Sequence, residues 1–336
     1  MSKLFQKLQD KRNRRLVLIV DLVVLVLLIV AVVLAQLEKS GASGEDDTDS
    51  FYARFINYQG QVYPVKRGLE SVLLIGTDNR MENEEPSKVE AFYNDGMADY
   101  LLLMVFDHEK KTITSLQINR DTMCDVPWLS VNGLVGGYQQ MQVTYAHSFG
   151  SGKQDSSKNT VSAVTGLLFG APVDRYFTFS MDTVPILNDL IGGVTVTLED
   201  DIPALGEEYV KGATIKLKGE EALRFIRTRS HDRLDANVTR MSHQRLYVNA
   251  FAAQARGKYE NNPDFIVDAF DKVERFLNTD LSVEDVSHLV KDYYEYTVLP
   301  MITATGHYEQ AENRTAQFFP DEDSLWNCVH SAFCTQ

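Results

Sequence analysis

The chain has 336 residues, 44% of them hydrophobic, and a formal net charge of −14. That length holds one domain of roughly 200 or more residues with smaller pieces around it. An acidity of this size excludes general affinity for nucleic acid or anionic lipid surfaces, so any anion site must be a local concentration of arginine.

Residues 1–15 carry Lys3, Lys7, Lys11, Arg12, Arg14 and Arg15 against Asp10 alone, and Leu16 to Ala35 then contains a single charge, Asp21. At 1.5 Å per residue that run spans roughly 30 Å, the hydrocarbon thickness of a bilayer. Basic residues before the span and acids after it (Glu45, Asp46, Asp47, Asp49) predict a cytoplasmic N-terminus and an external remainder. A cleaved signal peptide ending near Ala35 is the competing reading; the apolar run is longer than a signal h-region and favours an uncleaved anchor. The part beyond residue 36 is then four charges more negative than the whole chain, because residues 1–36 hold six Lys/Arg and two Asp.

Residues 37–62 open with the polar SGASGEDDTDS and read as a spacer, with folded structure expected from about Tyr63. Ser71–Gly76, Tyr100–Phe106 and Lys111–Ile118 are short apolar runs expected as strands, the last two joined by a tight turn at His108–Lys110. Residues 81–98 read as an exposed insertion. Asn159–Phe169 is expected as a helix, Arg175–Ser180 as a strand, and Asp182–Ile191 as a helix stopped by Gly192-Gly193. Val194–Leu198 alternates β-branched residues and reads as a strand. Gly219 to Leu223 begins a short helix, since glutamate suits the positive end of the dipole. A long amphipathic helix follows to about Arg256, and residues 263–297 give two more. Residues 298–336 read as short strands and an irregular tail. The alternation predicts an α/β fold, a three-layer α-β-α sandwich with a central mixed sheet. The expected division is a tail (1–15), an anchor (16–36), a linker (37–62), a catalytic domain (63–257) and a C-terminal helical extension (258–336).

The arginines concentrate between Lys218 and Tyr247: Arg224, Arg227, Arg229, Arg233, Arg240 and Arg245. Arg227 and Arg229 share a face only if the chain there is extended. Arg240, His243, Gln244 and Tyr247 fall on one stripe of the long helix. Two such elements facing each other would clamp an oligo-anion, because guanidinium forks match phosphate oxygens; surface pairing with Glu220, Glu221, Asp232 and Asp235 is the plainer alternative. Polar residues also gather at the strand ends: Asp78 and Arg80 after the first, Asp99 before the second, Arg120 and Asp121 after the third. Asp78 and Asp99 suit a magnesium ion, which takes one or two carboxylates and fills its shell with water and phosphate; turn and cap roles are the alternative. Outside the membrane, Cys328 and Cys334 could close a small terminal loop, leaving Cys124 unpaired, though spacing does not fix that pairing.

The segments LLIGTDNR (73–80), ADYLLLMVFD (98–107), SLQINRDT (115–122), YAHSFG (145–150), LNDLIGGVTVTL (187–198) and LKGEEALRFIRTR (217–229), with Arg240 and Gln244 beyond them, resemble the LytR-CpsA-Psr family over roughly residues 70–255. These are membrane-anchored proteins of Gram-positive envelopes. The resemblance implies a phosphotransferase that moves a glycan polymer, such as teichoic acid or capsular polysaccharide, from a polyprenyl-diphosphate carrier to peptidoglycan. It implies Mg2+ (or Mn2+) at Asp78 and Asp99, and diphosphate contacts from Arg80, Arg120, Arg227, Arg229, Arg240 and Gln244. For such a transfer Asp121, or an Asp78 or Asp99 carboxylate not fully committed to metal, is the candidate base, and Arg120 beside Asp121 is expected to lower its pKa and weaken it in that role. A polyprenyl-diphosphate hydrolase and a non-catalytic regulator that binds lipid-linked glycan are the alternatives. The chain departs from the family pattern at His243, where an arginine is usual, at Asn237, where an aspartate is common, and at His147 in the Tyr145-Ala146-His147 loop. Protonation of His243 or His147 at low pH is expected to restore part of the missing charge.

Overall fold

The computed structural model describes residues 54–78, 93, 94, 96–130, 133–229, 234–262, 265–280, 293, 296–313 and 315–334. The expected span at 16–36, most of the insertion expected at 81–98 and the helix expected after residue 280 lie outside the described residues, as do Arg80 and Arg233; Ala98, placed in that insertion, is buried and begins a strand. Among the described residues no helix is long and apolar enough to cross a membrane.

A hairpin of β1 (Phe55–Tyr58) and β2 (Gln61–Pro64) opens the fold, earlier than the expected start at Tyr63. The long strands β3 (Leu69–Thr77), β4 (Ala98–Asp107) and β5 (Thr112–Ile118) form an antiparallel meander at the centre of the sheet. β4 is buried along its whole length, which is why its sequence is a continuous apolar run rather than an alternation. After β5 come a second hairpin, β6 (Met123–Leu129) and β7 (Val135–Gln142), a 3-10 helix (Val143–Ser148) and helix α1 (Gln154–Leu167). Strand β8 (Arg175–Ser180) returns parallel to β3. Helix α2 (Thr183–Leu190), the hairpin of β9 (Val194–Thr197) and β10 (Thr214–Leu217), helix α3 (Glu220–Arg227) and helix α4 (Ala236–Asn261) follow.

The residues past 257 continue the same body. Helix α5 (Phe265–Val273) leads into β11 (Leu277–Thr279), which pairs with β8, and β12 (Thr297–Val298) lies parallel to β5, giving the order β11-β8-β3-β4-β5-β12. The stretch expected as helix up to residue 278 thus turns into an edge strand. A last hairpin, β13 (Gly306–Gln310) with β14 (Ala316–Pro320), precedes helix α6 (Glu322–Phe333).

Side chains alternate along the sheet and feed two cores. Val72, Leu74, Leu102 and Met104 join α2, α3, α4 and α5 on one face; Leu73, Ile75, Leu101 and Leu103 join α1 and α6 on the other. The result is a mixed central sheet with helices on both faces, as the sequence predicts. Gly76, at the bulge where β3 meets the start of β4, admits no side chain: a Cβ there would stand 2.9 Å from Cβ of Tyr100 and 3.1 Å from the Phe179 ring. Cys124, Cys328 and Cys334 are buried free thiols.

Candidate functional site

The meander brings three chain segments to one end of the sheet. Thr77 pairs with Ala98 and Leu101 with Ile118, so Asp78, Asp99, Arg120 and Asp121 share that end. The first turn and a half of α4 adds Asn237 and Arg240, both buried.

Asp99 lies between two guanidinium groups: Arg120 contacts Oδ1, and Nη1 of Arg240 lies 3.6 Å from Oδ2. Nε of Arg120 is also 3.6 Å from Oδ1 of Asp121. Asp78 Oδ1 accepts the backbone N–H of Met97 at 2.8 Å, and the charge of Asp78 acts on Arg120. Burial, reinforced by Arg240, pulls the Arg120 guanidinium down to about 10. Burial likewise lowers Arg240 to about 10, with Arg229 and Arg227 adding repulsion against the attraction of Asp121. Both remain charged at neutral pH, and neither Nε makes a hydrogen bond among the described residues. Buried donors left in that condition carry a desolvation cost that an incoming oxyanion would relieve.

Asp121 behaves differently from the sequence argument. Its nearness to Arg120 suggests a depressed pKa, yet burial outweighs Arg120, Arg240 and Arg229 and raises its carboxyl above the usual range. Its amide donates to Asn119 Oδ1 at 3.0 Å, and Gln142 Nε2 donates to its Oδ1 at 3.3 Å.

Arg227 and Arg229 are not an extended pair. Arg227 is the last residue of α3, the extended Thr228 caps that helix, and Arg229 follows it. Both are exposed and both act on Arg240, so they sit at the rim of the same site. Arg224 is exposed on α3, and Arg245 turns aside to Gln117 Oε1 (2.7 Å) and Ser242 Oγ (2.9 Å). Arg240, His243, Gln244 and Tyr247 are all buried on one side of α4, as their spacing predicts.

Burial works against the charge that His243 and His147 would restore. Burial lowers His243, whose Nδ1 donates to the Thr228 carbonyl at 3.2 Å and whose ring packs on Phe225. Burial pushes His147 down to about 4 despite its contact with the Gly96 carbonyl.

Beside the charged cluster, between the sheet and α2, α3 and α4, is a cavity of about 100 Å³ lined by Phe177, Phe179, Leu187, Val248 and Phe251. Gln244 and Tyr100 also line it, and the Gln244 amide nitrogen and Tyr100 hydroxyl are buried with no hydrogen-bond partner among the described residues. The rest of its lining is almost wholly apolar, the surroundings a hydrocarbon chain requires. Tyr308, Asn119 and Gln142 also reach the cluster. Tyr308 was beyond sequence reasoning, since it lies in an otherwise polar, exposed strand.

The chain is 26% identical over 224 residues to the polyisoprenyl-teichoic acid–peptidoglycan teichoic acid transferase TagU of Halalkalibacterium halodurans, covering 66% of this chain and 64% of that protein. It is 27% identical over 249 residues to the transferase of the same description, TagT, of Bacillus subtilis, covering 72% and 69%. The chain thus spans about two thirds of the length of these relatives. The crystal structure of B. subtilis TagT superposes with a TM-score of 0.57 at 22% identity, over 79% of this chain and 90% of that one, and shares the fold. The model of the LytR_cpsA_psr family matches residues 33–330, a range that takes in the C-terminal strands and most of α6, and the chain belongs to that family.

Proposed function

We propose that the protein transfers a glycan polymer from a polyprenyl-diphosphate carrier to peptidoglycan, with residues 16–36 as a membrane anchor, the N-terminus cytoplasmic and the catalytic domain outside. One observation carries this reading: two buried guanidinium groups, Arg120 and Arg240, hold unsatisfied Nε donors next to an apolar cavity. A diphosphate with a hydrocarbon tail needs that juxtaposition, and the names of the relatives supply the teichoic acid class.

Arg120 and Arg240 bind the diphosphate bridge, Arg227 and Arg229 close its exposed side, and Gln244 orients the phosphate nearest the tail. Asp121 accepts the proton of an attacking peptidoglycan hydroxyl. Its raised pKa improves it as a base, since proton affinity then lies nearer the working pH. The hydroxyl oxygen bonds to the phosphorus nearer the glycan, the bond from that phosphorus to the bridging oxygen breaks, and polyprenyl phosphate leaves with the bridging oxygen. Such transfer depends on positioning and charge neutralisation.

Asp78 and Asp99 fit a magnesium or manganese ion in donor chemistry. The described residues contain no group of three or more His, Cys, Asp or Glu side chains able to hold a metal, so two carboxylates must share the shell with water and phosphate oxygens, as magnesium sites do. Asp99 would serve the cation and the two arginines together. The cation, when bound, neutralises diphosphate charge.

The test is incubation of the protein with a lipid-diphosphate glycan, with and without peptidoglycan and with and without magnesium. Phosphodiester-linked glycan on peptidoglycan is the expected product. Free glycan phosphate in equal amount without the acceptor would mean a hydrolase, and binding without turnover a regulator.

A further inference from the structure

The family's charged cluster does not account for the hairpin of β13 and β14, which is built against it. The Phe318 N–H donates to the Asp121 carbonyl at 2.9 Å, Phe318 bridges to Thr122, and the Gln142 amide bonds both Asp121 Oδ1 and the Ala316 carbonyl. Tyr308, paired with Phe318 across the hairpin and in ring contact with it at 5.0 Å, turns inward from an otherwise polar strand.

Its hydroxyl ends a relay whose direction is fixed by chemistry. Arg240 can only donate, so Asn237 presents Oδ1 to it and turns Nδ2 away. That Nδ2 donates to Asn119 Oδ1 at 2.6 Å, and the Asn119 Nδ2 in turn donates to the Tyr308 oxygen at 2.6 Å. The guanidinium thus dictates both amide orientations, and the relay requires an acceptor at its far end. Among the described residues the phenol oxygen supplies it, and Asn237 bonds the same hydroxyl. Asn119 Oδ1 also receives the Asp121 amide at 3.0 Å, so one carboxamide ties the proposed base to the proposed diphosphate ligand. Tyr308 stays protonated, since burial and the charge of Asp121 push it up to about 12.

We propose that Tyr308 is a positioning residue of the diphosphate site, which sets the Arg240 guanidinium through Asn119 and Asn237 and so makes the C-terminal hairpin part of the active site. The inference rests on the function proposed above, and two measurements on the full-length protein separate them. Tyr308→Phe keeps the ring contact with Phe318 and removes the acceptor. The first measurement is the Arg240 Nε–H resonance, assigned by its absence in Arg240→Lys; in Tyr308→Phe it is expected to shift and to exchange faster with solvent. An unchanged resonance overturns the relay, whatever the protein binds.

The second is affinity for farnesyl diphosphate. Tyr308→Phe is expected to weaken it about tenfold in the wild-type background and not at all in Arg240→Lys, because the two sites are coupled. An equal loss in both backgrounds marks a packing role and overturns the proposal. If the resonance moves while the unsubstituted protein binds no isoprenyl diphosphate, the relay stands and the transferase reading falls.

Discussion

Nη1 of Arg240 lies 3.6 Å from Oδ2 of Asp99, and both side chains are buried. With Arg120 on the other oxygen, this makes Asp99 a carboxylate that is paired from both sides. The arginines therefore hold the fold as well as the proposed ligand. Arg120→Ala is expected to abolish transfer and also to cost about 3 kcal/mol of stability, because it strips a partner from a buried charge. Arg120→Lys keeps the charge and loses the fork, so transfer should fall about 100-fold with little change in the melting temperature. Thermal denaturation and single-turnover transfer, measured on both variants, separate the two roles.

Asp121 makes a pH prediction. As a base it works only when ionised, so transfer should rise with pH through its pKa, which burial holds above the ordinary carboxylate range. Asp121→Asn is expected to lower kcat by about 10²–10⁴ and to flatten that acid limb. A variant that keeps the limb would assign the proton transfer elsewhere.

The cavity predicts a length-dependent effect. Val248, half-buried on α4, lines it. Val248→Phe should raise KM for a long polyprenyl-diphosphate substrate severalfold while leaving the affinity for a short, soluble isoprenyl diphosphate within about twofold. Equal losses for both would place the lipid outside the cavity.

His147 links stability to pH. It is fully buried with its pKa lowered to about 4 from 6.5. Between those values the unfolded chain binds the proton and the folded one does not, so stability is complete above about pH 6.5 and is lost as pH falls towards 4. The loss over that window is about 3 kcal/mol. Urea denaturation at pH 7 and pH 4.5 should show most of it, and His147→Asn should show a shallower slope.

The parts of the fold that the sequence announced are those buried on both faces. β4 carries the unbroken apolar run Tyr100–Phe106 because each side meets a core, and β8 runs from Arg175 to Ser180 as the pattern predicts. β11 and β12 are two or three residues at the sheet edges, too short to carry a period, so they read as helix or tail. The charged residues at the strand ends were legible because arginine and aspartate are rarely placed there by packing alone. The balance between burial and attraction at Asp121 was not, since burial is a property of neighbours from other segments. Tyr308 is the extreme case, reaching Asn119 from 189 positions away. The apolar cavity could not be told from core, because Phe177, Leu187 and Phe251 are the residues either would use.

The first hairpin rests on the last helix: Tyr58 stacks on Trp326 with ring centroids 4.2 Å apart, and Val65 bridges to Cys334. The first and last described segments therefore clamp one another. Trimming either margin for expression, at Tyr63 or after Arg256, would unpick the opposite margin too, and a fragment meant for assay should keep residues 54 to 334 unbroken.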